Sequence, residues 1–375
     1  MTSAADVPTS RLSPLHERHQ AAGALFTDFA GWTMPVRYSS DLAEHHAVRT
    51  AAGLFDLSHM AEIRVTGPDA PAFLDYALAG RLSAVAHGQA KYSLLLTEAG
   101  GIIDDVVVYR LGDEDYLVVA NAANRTEAVR AFEERSARFD ATVTDISDAV
   151  ALLAVQGPAS RAVLEAVPDL TGVDLGSLGY YRSVVARFNG HPVLIARTGY
   201  TGEDGFELYI AADAAGGLWD NLLAEGVGLV PAGLASRDTL RLEAGMPLYG
   251  HELSTSTFPA QAGLGRVVDL AKPGDFVGRA ASEAGPAADA PVLVGLVSEG
   301  RRAGRAGYPV RAADGDAQAV GVVTSGALSP TLGHPVMMAY VAPEVAEPGT
   351  RLSVDVRGTL VPAEVAPLPF YRRQK

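Results

Sequence analysis

The chain of 375 residues contains no cysteine. That excludes disulfides, thiolate-bound zinc, cysteine-ligated iron–sulfur clusters and a cysteine nucleophile. Positive charge is also scarce. Thirty Lys plus Arg against 44 Asp plus Glu (30 − 44) leave a formal charge of −14. A general nucleic-acid binder needs a basic footprint, so no nucleic-acid partner is expected. A local basic patch still suits one anionic ligand. Long apolar runs are missing too. None approaches the roughly 18 residues of a membrane helix, so no membrane partner is expected. The start, MTSAADVPTS, lacks a charged stretch leading into an apolar one. No signal peptide is expected, and the expected location is cytoplasmic.

What is present reads as globular. Hydrophobic residues make up 48% of the chain, and its length suits about two or three domains. Residues 1–10 read as a frayed tail. Residues 281–291, rich in Ala, Gly, Pro, Asp and Glu, read as a linker or long surface loop. The expected division is a core over 1–280 and a second domain over 281–375.

The core contains a repeat. Val65-Thr66-Gly67-Pro68 returns 90 residues on (155 − 65) as Val155-Gln156-Gly157-Pro158, each followed by helical apolar spacing. Proline is tolerated in a first helical turn, whose N–H groups lack partners anyway. At the same offset Gly112-Asp113-Glu114-Asp115 matches Gly202-Glu203-Asp204-Gly205, and residues 116–121 match 206–211. Helical segments follow at 125–135 and 214–223. The fold class expected is α+β: two related, mainly antiparallel units over about 60–137 and 150–227, facing each other with a ligand between them. Short alternating runs at 293–297, 310–312, 320–324, 337–341 and 352–356 predict a small all-β barrel or jelly-roll-like module.

Common site chemistries fail. His45 and His46 are adjacent, about 100° apart on a helix, and no His-Glu-x-x-His occurs, so no metal site is expected. There is no phosphate-binding Gly-rich loop ending in Lys-Ser/Thr and no Gly-x-Ser-x-Gly. Polar residues inside apolar strands stand out instead. Asp104 and Asp105 follow Gly100-Gly101 and precede Val106-Val107-Val108-Tyr109. Alternation puts them on opposite faces, with Asp105 and Tyr109 on one. A solvated turn reads equally well there. Glu207 lies in Phe206-Glu207-Leu208-Tyr209-Ile210, where an outward-facing Glu is the simpler account. Residues 236–245 predict a helix with Arg237 and Arg241 on one face and Gly245 as its stop; an ordinary charged face fits as well. Pro369-Phe370-Tyr371-Arg372-Arg373 gives a basic, aromatic end that also reads as a solubilising tail.

Together these stretches resemble the T-protein family of the glycine cleavage system, the tetrahydrofolate-dependent aminomethyltransferases. The resemblance includes Asp28-Phe29-Ala30-Gly31-Trp32, Gly53-Leu54-Phe55-Asp56-Leu57-Ser58-His59-Met60, the segments 100–109, 197–207 and 236–245, and Ser329-Pro330-Thr331-Leu332-Gly333. Ala61 and Arg266 depart from the pattern, which commonly has Gly and an aromatic there. Iron–sulfur-linked folate relatives carry a Cys motif that this chain lacks.

The resemblance implies transfer of an aminomethyl carbon from the lipoyl arm of H-protein to tetrahydrofolate, the co-substrate, with release of ammonia. The alternative is a folate-dependent demethylase acting on a free methylated substrate. It also implies roles for residues. Asp105 is the essential carboxylate, as proton acceptor or as stabiliser of an iminium-like cation. Glu207 accepts from a pterin edge, and Arg237 and Arg372 bind the ligand. Tyr92, Tyr109 and Tyr200 pack or hydrogen-bond its rings, and Asn121 supports the site. Asp105 plus 90 is Ile195, so Asp105 and Glu207 are not equivalent. H-proteins of this family are usually acidic, so docking is expected at the densest basic cluster, Arg301, Arg302 and Arg305.

Overall fold

The computed structural model describes residues 10–313 and 318–373. The first nine residues of the expected tail lie outside the described residues.

The repeat organises the core. Strands Ala61–Thr66 and Val150–Gln156 each run into a glycine with positive φ, Gly67 at 124° and Gly157 at 134°. A Cβ there meets the Asp140 carbonyl oxygen at 2.5 Å or the Ala51 carbonyl oxygen at 2.4 Å. Only glycine fits. Pro68 and Pro158 occupy the turns ahead of helices Ala70–Ala77 and Ser160–Glu165, rather than their first turns. Both strands then pair antiparallel with distant ones, Val65 opposite Tyr116 and Val155 opposite Phe206. Since 155 − 65 and 206 − 116 both give 90, the offset survives into the pairing register.

It breaks at one hairpin. Tyr109 faces Leu117, eight residues on (117 − 109), whereas Ala196 faces Glu207, eleven on (207 − 196). The second hairpin is three residues longer, so Ala196 rather than Gly199 is the counterpart of Tyr109. Asp105 therefore corresponds to Pro192 (105 + 196 − 109), not to Ile195. The longer turn, between strands His191–Ala196 and Gly205–Ala211, carries Thr198 and Tyr200.

The first sheet has five antiparallel strands in the order Ala90–Leu96, Ile102–Arg110, Asp115–Ala120, Ala61–Thr66, Thr142–Asp145. The second has seven and takes in Ala52–Asp56, which precedes both units in sequence. Gly53 pairs antiparallel with Gln156 and parallel with Val230. Helices cover each outer face. Phe73 and Phe132 pack on Ile63 and Val118; Trp219 and Leu222 pack on Val155 and Leu208. The inner faces meet through Tyr109, Leu117 and Val119 on one side and Leu152, Ala154, Leu194 and Tyr209 on the other.

The run expected as linker begins as helix Arg279–Ala284, which straddles the expected boundary at 280/281. Beyond it six strands close a barrel, in the order Val292–Ser298, Pro335–Val341, Ala319–Leu328, Pro309–Ala312, Arg351–Val356, Thr359–Ala366. The last strand was hidden in the sequence because Pro362 interrupts its alternation. Pro362 pairs with Ser353 but lies beyond the stretch paired to the first barrel strand, where a missing N–H is tolerated. Among the described residues no helix is long and apolar enough to cross a membrane.

Candidate active site

Strand Ile102–Arg110 turns Asp104 into the protein and Asp105 to the other side, as alternation predicts. Neither is a solvated turn residue. Asp104 accepts from the Asn121 backbone N–H at 2.9 Å, from Asn121 Nδ2 at 2.7 Å and from Asn124 Nδ2 at 2.7 Å. Asp105 accepts from Tyr92 Oη at 3.0 Å and from Asn121 Nδ2 at 2.9 Å. One Asn121 amide thus holds both carboxylates. Burial pushes the Asp105 carboxyl up, against the pull of Tyr92 and Asn121. Burial and then the Asp105 charge push Asp104 up to about 7. Two carboxyls so close cannot both ionise easily.

Glu207 faces the first sheet rather than solvent. Thr198 Oγ1 donates to its Oε2 at 2.5 Å and Tyr109 Oη at 3.2 Å. Tyr209 Oη donates to Tyr109 Oη at 3.1 Å. Both donors use Oε2, which leaves Oε1 for a ligand.

Helix Leu234–Glu243 starts at Gly233, where a Cβ meets the Val36 carbonyl oxygen at 2.3 Å. Gly245, at φ 64°, ends the helical segment. Arg237 Cζ lies 4.9 Å from the centre of the Tyr200 ring. Its Nη1 is buried with no hydrogen-bond partner. Burial lowers its pKa, opposed by Glu207 and the Tyr200 and Tyr209 phenols. An unpartnered buried guanidinium nitrogen invites an acceptor from a ligand. Tyr200 Oη is turned away, donating to the Pro247 carbonyl oxygen.

The predicted residues therefore form two connected groups, Asp105–Tyr92–Asn121 and Glu207–Tyr109, with Arg237 over Tyr200 beside the second. Arg372 stands apart. It is exposed and is placed only through its neighbours: the Tyr371 N–H donates to the Glu243 carbonyl oxygen at 2.8 Å, and Arg373 lies 3.4 Å from Asp204. Sequence reasoning missed Asn124 and Thr198 as partners of the carboxylates and Tyr209 as the partner of Tyr109. His59 carries none of the expected roles. That buried imidazole lies edge-on to Phe29 at 5.2 Å, and burial, aided by the Arg237 charge, lowers it to about 4. It is neutral at physiological pH.

The polar groups lie between two sheets that share a core, and a closed six-stranded barrel completes the chain. A solved structure titled glycine cleavage system aminomethyltransferase T, from Bartonella henselae, matches with a TM-score of 0.89 at 37% identity, covering 98% of this chain and 100% of that one. Two family models match: the GCVT N-terminal domain over residues 15–272, and the glycine cleavage T-protein C-terminal barrel domain over 292–372. An aminomethyltransferase of Cutibacterium acnes is 61% identical over 371 residues, 97% of this chain and 99% of that protein. One of Streptomyces coelicolor is 56% identical over 372 residues, 97% and 98% of the two chains. The chain belongs to the glycine cleavage T-protein family of aminomethyltransferases.

Proposed function

We propose that the chain passes the aminomethyl carbon of lipoyl H-protein to tetrahydrofolate. Tetrahydrofolate supplies the two nitrogens that take up the carbon. In sum, the S–CH2 and CH2–N bonds of the loaded arm break, and two C–N bonds form in 5,10-methylenetetrahydrofolate. The two displaced N–H hydrogens end on the dihydrolipoyl sulfur and on ammonia.

The observation that carries this reading is the orphaned Arg237 nitrogen beside a carboxylate with one oxygen free. That donor and acceptor set fits a ligand with adjacent N–H groups and an acidic tail. Glu207 accepts from the pterin edge, with Thr198 and Tyr109 fixing its plane. Arg237 and Arg372 bind the ligand's anionic groups. Tyr92, Tyr109 and Tyr200 line or order the ring site. Asn121 aims Asp105, which takes a proton from the attacking nitrogen or steadies the cation left as ammonia departs. H-protein docks on Arg301, Arg302 and Arg305, all exposed.

The test is ammonia release from aminomethyl-loaded H-protein with and without tetrahydrofolate. Folate-stimulated release is expected. Release that ignores folate overturns the proposal, and folate-dependent turnover of a free methylated amine alone would favour demethylation.

A further inference from the structure

Arg49 lies on helix Asp41–Thr50, outside every segment given a ligand role above. Its side chain is 4% exposed. Nη1 donates to the Thr201 carbonyl oxygen at 2.7 Å and to Glu203 Oε1 at 2.9 Å. Nε and Nη2 donate to Glu243 Oε2 at 3.1 and 2.8 Å, and Nη2 reaches the Leu240 carbonyl oxygen at 3.3 Å. Its Cζ lies 4.1 Å from the centre of the Tyr371 ring. A fork of fixed N–H directions with a stackable face can do this; an ammonium cannot.

Each contact adjoins a residue given to the ligand. Thr201 follows Tyr200. Leu240 and Glu243 share a helix with Arg237. Tyr371 precedes Arg372, and its N–H is itself bound to the Glu243 carbonyl oxygen. Glu243 also gathers the barrel, accepting from Thr331 N at 3.0 Å, Thr331 Oγ1 at 2.7 Å and Ser329 Oγ. A turn of the second sheet, a helix and the C-terminal tail thus converge on one buried cation.

We propose that Arg49 is a positioning residue that sets Tyr200, Arg237 and Arg372 against one another for the folate ligand. The inference rests on the folate reading of the site. Replacing Arg49 itself leaves Glu243 buried without its guanidinium partner, which threatens folding. Tyr371→Leu and Glu203→Gln each remove one of its holds and keep the Arg49–Glu243 pair.

The experiment measures kcat and KM for tetrahydrofolate, and KM for H-protein, in each variant and in each combined with Arg372→Ala. Each single variant is expected to raise KM for tetrahydrofolate about five-fold, with kcat within about two-fold and KM for H-protein unchanged. Tyr371→Leu is expected to add nothing once Arg372 is Ala, because it acts through that residue. An unchanged KM for tetrahydrofolate in both variants overturns the proposal. So does a Tyr371→Leu effect that persists in full without Arg372. A wild-type enzyme without folate-stimulated release refutes the folate reading instead.

Discussion

Glu207 occupies in the second sheet the place that Leu117 occupies in the first. Leu117 lies between Tyr109 and Arg64, Glu207 between Ala196 and Ala154, at matching register positions. A nearly symmetric frame therefore presents an apolar side chain from one half and a carboxylate from the other. An asymmetric ligand requires that difference.

Glu207→Gln keeps the shape and removes the charge. Loss of a charge-assisted acceptor should raise KM for tetrahydrofolate by about ten- to a hundred-fold, with a smaller effect on kcat. Steady-state kinetics at varied folate check this. An unchanged KM removes Glu207 from the binding site.

Asp105→Asn should lower kcat by about a hundred-fold or more while folate binding stays within about a few-fold. The pH profile adds a second readout. The pair retains a proton up to about pH 7, where Asp104 ionises. Turnover should therefore climb through that region. Asp104→Asn removes the group that ionises there and the charge beside Asp105, so the limb near pH 7 should disappear and any that remains should lie at lower pH. An unmoved limb would show that the pair does not set it.

Glu62 is fully buried, and neither carboxylate oxygen has a hydrogen-bond partner. Burial raises it well above 4.5. A raised carboxyl favours the folded state below the unfolded pKa and loses that contribution as pH rises toward the folded one. Glu62→Gln should therefore unfold at higher denaturant than wild type at pH 8, with the gap closing by about pH 4. Equal midpoints at both pH values would show that Glu62 finds a partner in solution.

Reversing Arg301, Arg302 and Arg305 to Glu should raise KM for H-protein by about ten-fold or more at low salt and leave KM for tetrahydrofolate alone. An unchanged KM for H-protein places docking elsewhere.

Much of the frame was legible. Gly67 and Gly157 mark the repeat because both backbones sit where a side chain cannot. Helix Leu234–Glu243 showed its stop at Gly245. Asp105 and Glu207 drew notice because a carboxylate in an apolar strand needs a reason. What stayed hidden depends on distance in sequence. Asn124 looks like an ordinary loop residue until the chain brings it under Asp104. Thr198 differs in no local way from other turn threonines. Nothing local singles out Arg49, because its partners lie 152 to 322 residues away (201 − 49 and 371 − 49).

The strand Ala52–Asp56 also bears on how the protein is made. Gly53 leaves the ribosome 177 residues before its parallel neighbour Val230 (230 − 53). At typical synthesis rates that interval is roughly 10–35 s. Through it the second sheet lacks its last strand, and the edge that strand will cover stays open to other chains. A product truncated before residue 229 never closes it.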